Sequence, residues 1–97
     1  MSTHYRDALG YVVRSTRLRN GKTLRDVAVA APMALGYISE IERGQKDVSS
    51  ELLASLARGL ETTVGSLALE TAMVILDWER QAQHEHELAR ERQMNLV

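Results

Sequence analysis

An all-α fold of five helices is predicted for this chain from three features of its sequence. There is one proline and no phenylalanine in 97 residues, with Ala, Leu, Arg and Glu abundant, a composition that favours helix. Apolar residues recur at three- and four-residue spacing between turn signals. Those signals are few: Asn20-Gly21, Ala31-Pro32, Gly44 and Thr62-Thr63.

The elements follow in order. A first helix is predicted over 4–19, with Leu9, Val12, Val13 and Thr16 inward and Asn20-Gly21 closing it. Thr23 is a good N-cap, and Asp26 three residues on makes a variant capping box, so a second helix begins at Leu24. Leu24, Val27, Ala28 and Ala31 share one face, and the small Ala28 lets another helix cross close by. Proline disfavours α geometry at the residue before it, which ends this helix at Ala31. A third helix over 35–43 carries the apolar pair Ile38 and Ile41, with Ser39, Glu40 and Glu42 on other faces. Gly44 follows, where a positive φ is wanted. After a loop at 45–48, Ser49 or Ser50 caps a fourth helix that sends Leu52, Leu53, Leu56, Ala57 and Leu60 to the core. Thr62 and Thr63 supply the cap of a fifth, over about 64–92, which has no Pro or Gly after Ser66.

On spacing alone, residues 23–44 fit an ordinary helical hairpin as well as two helices joined by a tight turn for docking in a DNA groove. The wider pattern decides. Leu24/Val27/Ala28, Ile38/Ile41, Glu42-Arg43-Gly44 and Ser49-Ser50-Glu51-Leu52-Leu53 leading to Leu56, Ala57 and Leu60 resemble the phage-repressor and Cro-type helix-turn-helix family, also called the XRE family. With 11–21 before and 63–69 after, the resemblance covers roughly two-thirds of the chain. Within that family, 35–44 and 49–55 are similar to the Clp-gene regulators of actinobacteria. The resemblance implies a repressor-like DNA-binding domain and an activator of Clp protease and stress genes. It further implies a surface that touches RNA polymerase, with Glu40, Glu42 and Asp47 as candidates, and a regulator that is itself a Clp protease substrate through its tail at 94–97. Two positions depart from the family pattern. Pro32 stands where the turn usually has glycine, and proline does not supply positive φ. Ala34 stands where serine usually caps the recognition helix.

The formal net charge of −1 hides an asymmetry: residues 1–50 carry +3 and residues 51–97 carry −4. Arg14, Arg17, Arg19, Lys22 and Arg25 precede the third helix, and Arg43 and Lys46 follow it. Phosphate contacts are therefore expected from Arg25, Arg43 and Lys46, with Arg14 and Arg17 either joining them or pairing with acids on the first helix. Thr23, Gly44 and Gln45 add hydroxyl, backbone and amide groups. By position in the family, base edges fall to Leu35, Gly36, Tyr37, Ser39 and Glu40. Leu35 and the Tyr37 ring suit a thymine methyl, Glu40 accepts from cytosine N4, and Gly36 lets the backbone come close.

The fifth helix is apolar on too many sides to pack on one neighbour only: Leu69, Ala72, Met73, Ile75, Leu76 and Trp78 are assigned to a homodimer interface. The division expected is a helix-turn-helix domain at 1–63 and a dimerisation helix and tail at 64–97. A two-fold dimer presents two reading helices about 34 Å apart, which predicts an inverted-repeat site in double-stranded DNA.

Other chemistry is thinly represented. The absence of cysteine excludes disulfides and zinc–thiolate sites. His84 and His86 are two apart, not four, and point to different helix faces, so no metal site is assigned. No cofactor is implied, and no nucleophile–base pair, paired carboxylate or phosphate-binding glycine loop indicates an enzyme. No apolar run approaches the roughly 20 residues of a membrane span, and no leader pattern precedes the first helix, which predicts a soluble, cytoplasmic protein. The alternative to a regulator is an antitoxin-like interaction module of the same fold, working through its C-terminal helix.

Overall fold

The computed structural model describes residues 4–96 and holds five helices: α1 (Tyr5–Arg19), α2 (Leu24–Ala30), α3 (Leu35–Glu42), α4 (Ser50–Gly59) and α5 (Val64–Asn95). Each expected helix is present, and α5 runs three residues beyond the expected end.

Side-chain caps fix three of the starts. At α2 the Thr23 hydroxyl accepts from the Asp26 N–H at 3.0 Å, while the Asp26 carboxylate accepts from the Thr23 N–H at 2.8 Å. Ser49 caps α4 and Thr63 caps α5, each accepting from the N–H three residues on. His4 and Ala34, ahead of α1 and α3, make no such bond.

The first four helices end alike, with a residue at positive φ and a backbone bond reaching back over the last turn. Gly21 stands at φ 68° and Gly44 at 72°, where glycine is unstrained. Glu61 takes the same role at 61°, and Pro32 stands at 22°. The expectation that proline would deny the turn a positive φ is thus corrected. The Met33 N–H still reaches the Ala28 carbonyl at 3.0 Å, so the chain reversal holds Pro32 in place. Having no N–H, Pro32 omits the shorter bond that Gly21, Gly44 and Glu61 make to Leu18, Ile41 and Arg58.

One core joins all five helices: Leu9, Val12 and Val13 of α1, Val27 and Ala31 at α2, Ile38 and Ile41 of α3, Leu56, Ala57 and Leu60 at α4, and Leu67 of α5. Two glycines set how closely it closes. A Cβ on Gly10 would fall on the Ile41 carbonyl oxygen and 2.8 Å from that of Glu42, so α1 and α3 touch backbone to backbone. A Cβ on Gly59 would lie 2.8 Å from the Ala31 Cβ. Ala28 packs on the core, and α4 approaches α2 closely at Ala31. Leu52, expected inside, is exposed, because the α4 stripe is centred on Leu56 and Leu60.

The first half of α5 belongs to this core, so the division expected between 63 and 64 cuts through packed structure. Leu67 and Thr71 are buried, Val74 packs on the core cluster, and Ile75 and Trp78 are half-buried. Trp78 meets the Tyr11 ring edge-on at 6.5 Å. From Glu79 to Leu96 every residue is exposed, and the helix projects as an arm that stretches the molecule to 60 × 24 × 23 Å. Among the described residues, no single helix is long and apolar enough to cross a membrane.

Candidate nucleic-acid interface

At 3.6 residues per turn, Ile38 and Ile41 leave Gly36, Ser39, Glu40 and Arg43 on the opposite side of α3. Ile38 and Ile41 are buried; Gly36 and Arg43 are exposed, and Ser39 and Glu40 are half-buried. A helix with one face locked in the core and the other uncovered has the dimensions of a major-groove reader.

The uncovered face is partly tied to itself. Arg43 donates to the Ser39 hydroxyl and, at 3.4 Å, to the Gln45 amide oxygen. Lys46 stands 4.0 Å from Glu40. Exposed contacts of this kind hold only weakly in water. Leu35, 40% exposed, begins the helix. Arg25 and Arg14 are exposed on α2 and α1, and Thr23 is exposed with its hydroxyl accepting from α2, which leaves its own proton to donate.

Four residues expected to make contacts are placed otherwise. Arg17 is buried: its guanidinium grips Glu42 through Nε at 2.7 Å and Nη2 at 3.0 Å, and its Nη1 donates to the Lys22 carbonyl at 3.0 Å. It joins α1 to the last turn of α3 and to the lead-in of α2, and is not available to a phosphate. Glu42, spent in the same pair, is likewise withdrawn from any polymerase contact. Tyr37 packs its ring on the core, and its hydroxyl donates to the Asp47 carbonyl at 3.0 Å. In the free protein it braces the loop after α3. Gly44 is buried against Asp7, and its N–H donates to Ile41. No local pattern reveals the Arg17–Glu42 pair, whose members are 25 residues apart. Gly10 does carry a signal, an isolated glycine inside a helical pattern.

The electrostatics agree with this placement. The Thr23 backbone and side-chain hydrogen bonds hold the Asp26 carboxyl below its ordinary value, fixing a charge at the α2 start. The Glu42 carboxylate raises Arg17, and Glu61 raises Lys22. Among the described residues no group of three or more His, Asp or Glu gathers as a metal site.

An exposed helix held by a second short helix across a tight turn, inside a five-helix core, defines a helix-turn-helix protein. Residues 8–69 match the model of a helix-turn-helix domain family, and the chain belongs to that family. Over 90 residues it is 38% identical to the transcriptional regulator ClgR of Mycobacterium tuberculosis, covering 93% of this chain and 74% of that one. The crystal structure of the clp gene regulator ClgR from Corynebacterium glutamicum superposes with a TM-score of 0.82 at 41% identity, over 88% of this chain and 90% of that one. The restriction-modification controller protein C.Esp1396I, solved as a tetramer in complex with its natural 35 base-pair operator, matches at a TM-score of 0.70 and 26% identity. That match covers 74% of this chain and 95% of the controller. The ClgR proteins are named as gene regulators and the controller is solved on its operator; by this kinship the chain is not an enzyme.

Proposed function

We propose that the protein is a homodimeric, sequence-specific transcription regulator that reads an inverted repeat in double-stranded DNA with α3. Leu35, Gly36, Ser39 and Glu40 face the bases. Thr23, Arg25, Arg43, Gln45, Lys46 and Arg14 face the phosphates. The observation that carries this reading is the uncovered α3 face, flanked by cations and rigidly backed by Ile38 and Ile41. Similarity to clp gene regulators extends the proposal to Clp protease genes as targets and to a cytoplasmic activator that contacts RNA polymerase. With Glu42 paired to Arg17 and Glu40 turned to the bases, Asp47 is the exposed acid left for that contact, and the tail is offered as the handle by which Clp protease removes the regulator. Of that tail, Val97 lies outside the described residues.

The dimer rests on α5. Leu69, Ala72, Met73 and Leu76 recur at i, i+3, i+4 and i+7, and all are exposed, Leu69 by 63% and Met73 by 60%. Trp78 lies on the opposite side, against Tyr11 of α1, and the half-buried Ile75 borders the stripe. An apolar row on a helix whose other face is already buried is the surface a two-fold partner covers. Sedimentation equilibrium tests it: the wild-type chain is expected as a dimer and Leu76→Glu as a monomer with unchanged helix content. A wild-type monomer sinks the dimer and leaves the stripe as a docking face for another protein.

A further inference from the structure

The six glycines of the chain do not share one explanation. Gly10 and Gly59 are required by close helix crossings, Gly21 and Gly44 by positive φ. Gly36 is required by neither. It lies in the first turn of α3 with no positive φ, and nothing stands within 4 Å of the Cβ it lacks. Glycine inside a helix is unfavourable relative to alanine, so within the chain this position favours alanine over glycine. Gly65, in the first turn of α5, has comparable room, but it stands away from α3.

The position is also the most outward on the helix. Gly36 is about half a turn round α3 from Ile38 and Ile41, in line with Arg43. Ser39 and Glu40 on either flank are engaged by Arg43 and Lys46. Beside Gly36, Leu35 is uncharged and Tyr37 is turned inward. The leading end of the reading helix is thus bare main chain with an apolar neighbour, and presents no side-chain donor or acceptor.

We propose that Gly36 is a specificity-determining position: its missing side chain leaves room for a thymine methyl group to sit directly on the α3 backbone beside Leu35. This rests on the DNA-binding reading above and sharpens it. The major-groove edge of A·T differs from G·C in carrying that methyl group beside the thymine O4 acceptor; Leu35 and the bare glycine Cα suit the methyl, and the uncapped N–H groups of the first α3 turn suit O4. A Cβ at this position occupies the methyl's space and pushes the helix out of the groove.

The test begins with selection from a duplex library randomised over ~21 base pairs, two turns of DNA, by wild-type chain and Gly36→Ala. Affinities for the enriched duplex then follow by fluorescence anisotropy. The wild type is expected to enrich an inverted repeat with an invariant A·T pair at one symmetric position. Replacing that thymidine by deoxyuridine, which removes only the methyl, is expected to weaken wild-type binding about fourfold, the worth of one buried methyl group. Gly36→Ala is expected to melt no lower than wild type, to bind the wild-type duplex at least tenfold more weakly, and to be insensitive to the deoxyuridine change. Failure of the wild type to enrich any sequence overturns the DNA-binding reading and this inference together. Equal affinity of the two chains for the same duplex, or a Gly36→Ala chain that melts lower, overturns the inference alone.

Discussion

The strongest single demand on the fold is the buried pair between Arg17 and Glu42, and Glu42→Gln isolates it. The side chains are only 10% and 5% exposed, so their charges have given up most of their hydration. Two hydrogen bonds of 2.7 and 3.0 Å between them, and a third from Arg17 to the Lys22 carbonyl, replace it. Removing one partner of such a pair costs about 3–5 kcal/mol, chiefly because the other charge stays buried uncompensated. Glutamine keeps one acceptor but turns an amide N–H₂ towards the guanidinium, so about 3 kcal/mol is expected. Domains of this kind have about 5–15 kcal/mol in all, and the loss lowers Tm by roughly 12–24 °C. Urea denaturation followed by circular dichroism measures it. Replacing both residues by apolar ones of similar volume, Arg17→Met with Glu42→Leu, is expected to return within about 1 kcal/mol of wild type. A Glu42→Gln loss below about 1 kcal/mol would show that water screens the pair and that it does not anchor α3.

Three further outcomes come from the helix ends and crossings. Gly10→Ala, although alanine is the better helix former, is expected to destabilise by about 2 kcal/mol, because the new methyl meets the Ile41 and Glu42 carbonyls; a gain in Tm would refute the backbone contact. Pro32→Gly is expected to stabilise by about 1 kcal/mol. Relief of a strained φ, on the order of 1–3 kcal/mol, outweighs the about 1 kcal/mol of chain restriction that proline supplies. A lower Tm for Pro32→Gly would show that the turn is unstrained. Asp26 is held below its ordinary 3.8, so its contribution is complete above that value and is lost as the pH falls through the depressed one. Wild-type stability should therefore fall more steeply than that of Asp26→Asn between pH 5 and about pH 2, and parallel curves in acid urea titrations would count against the capping box.

Much of this architecture is legible in the sequence because it is locally encoded. Thr23 with Asp26, Ser49 and Thr63 announce helix starts through contacts spanning three residues. Gly21 and Gly44 announce ends for the same reason. Ile38 and Ile41 orient α3 by spacing alone, which places Gly36, Ser39 and Glu40 outward without any knowledge of tertiary structure. What escapes is whatever needs two distant segments at once. Arg17 reads as one more cation in a basic cluster until α3 brings Glu42 to it. Tyr37 reads as a base contact until the loop brings the Asp47 carbonyl within reach. Pro32 misleads differently: its intrinsic φ preference is a local rule, overridden by the chain reversal that α2 and α3 impose. Packing runs across the expected 63/64 division because α5 carries two stripes that a linear sequence superimposes. One of them, Leu67, Thr71 and Val74, belongs to the core.

Those two stripes give α1 a role beyond filling the core. On the proposed dimer, the distance between the two reading helices is set by how α3 and α5 are each fixed to α1. The first joint is the Gly10 backbone contact with the Arg17–Glu42 clamp. The second is the packing of Leu67, Thr71 and Val74, closed by Tyr11 against Trp78. The Arg17–Glu42 clamp and the Leu67 and Thr71 packing are buried, and the exposed Tyr11 ring meets Trp78 at the edge of the second joint, so on the proposed dimer α1 is the spacer between reading and pairing surfaces. Spacing and sequence are then separable. Loosening a joint, as Glu42→Gln or Trp78→Ala does, is expected to relax the preferred half-site separation while leaving the half-site sequence alone. Changing Gly36 does the reverse. A selection in which Trp78→Ala altered the half-site sequence at unchanged spacing would break this division, because Trp78 reaches the DNA only through the geometry of the dimer.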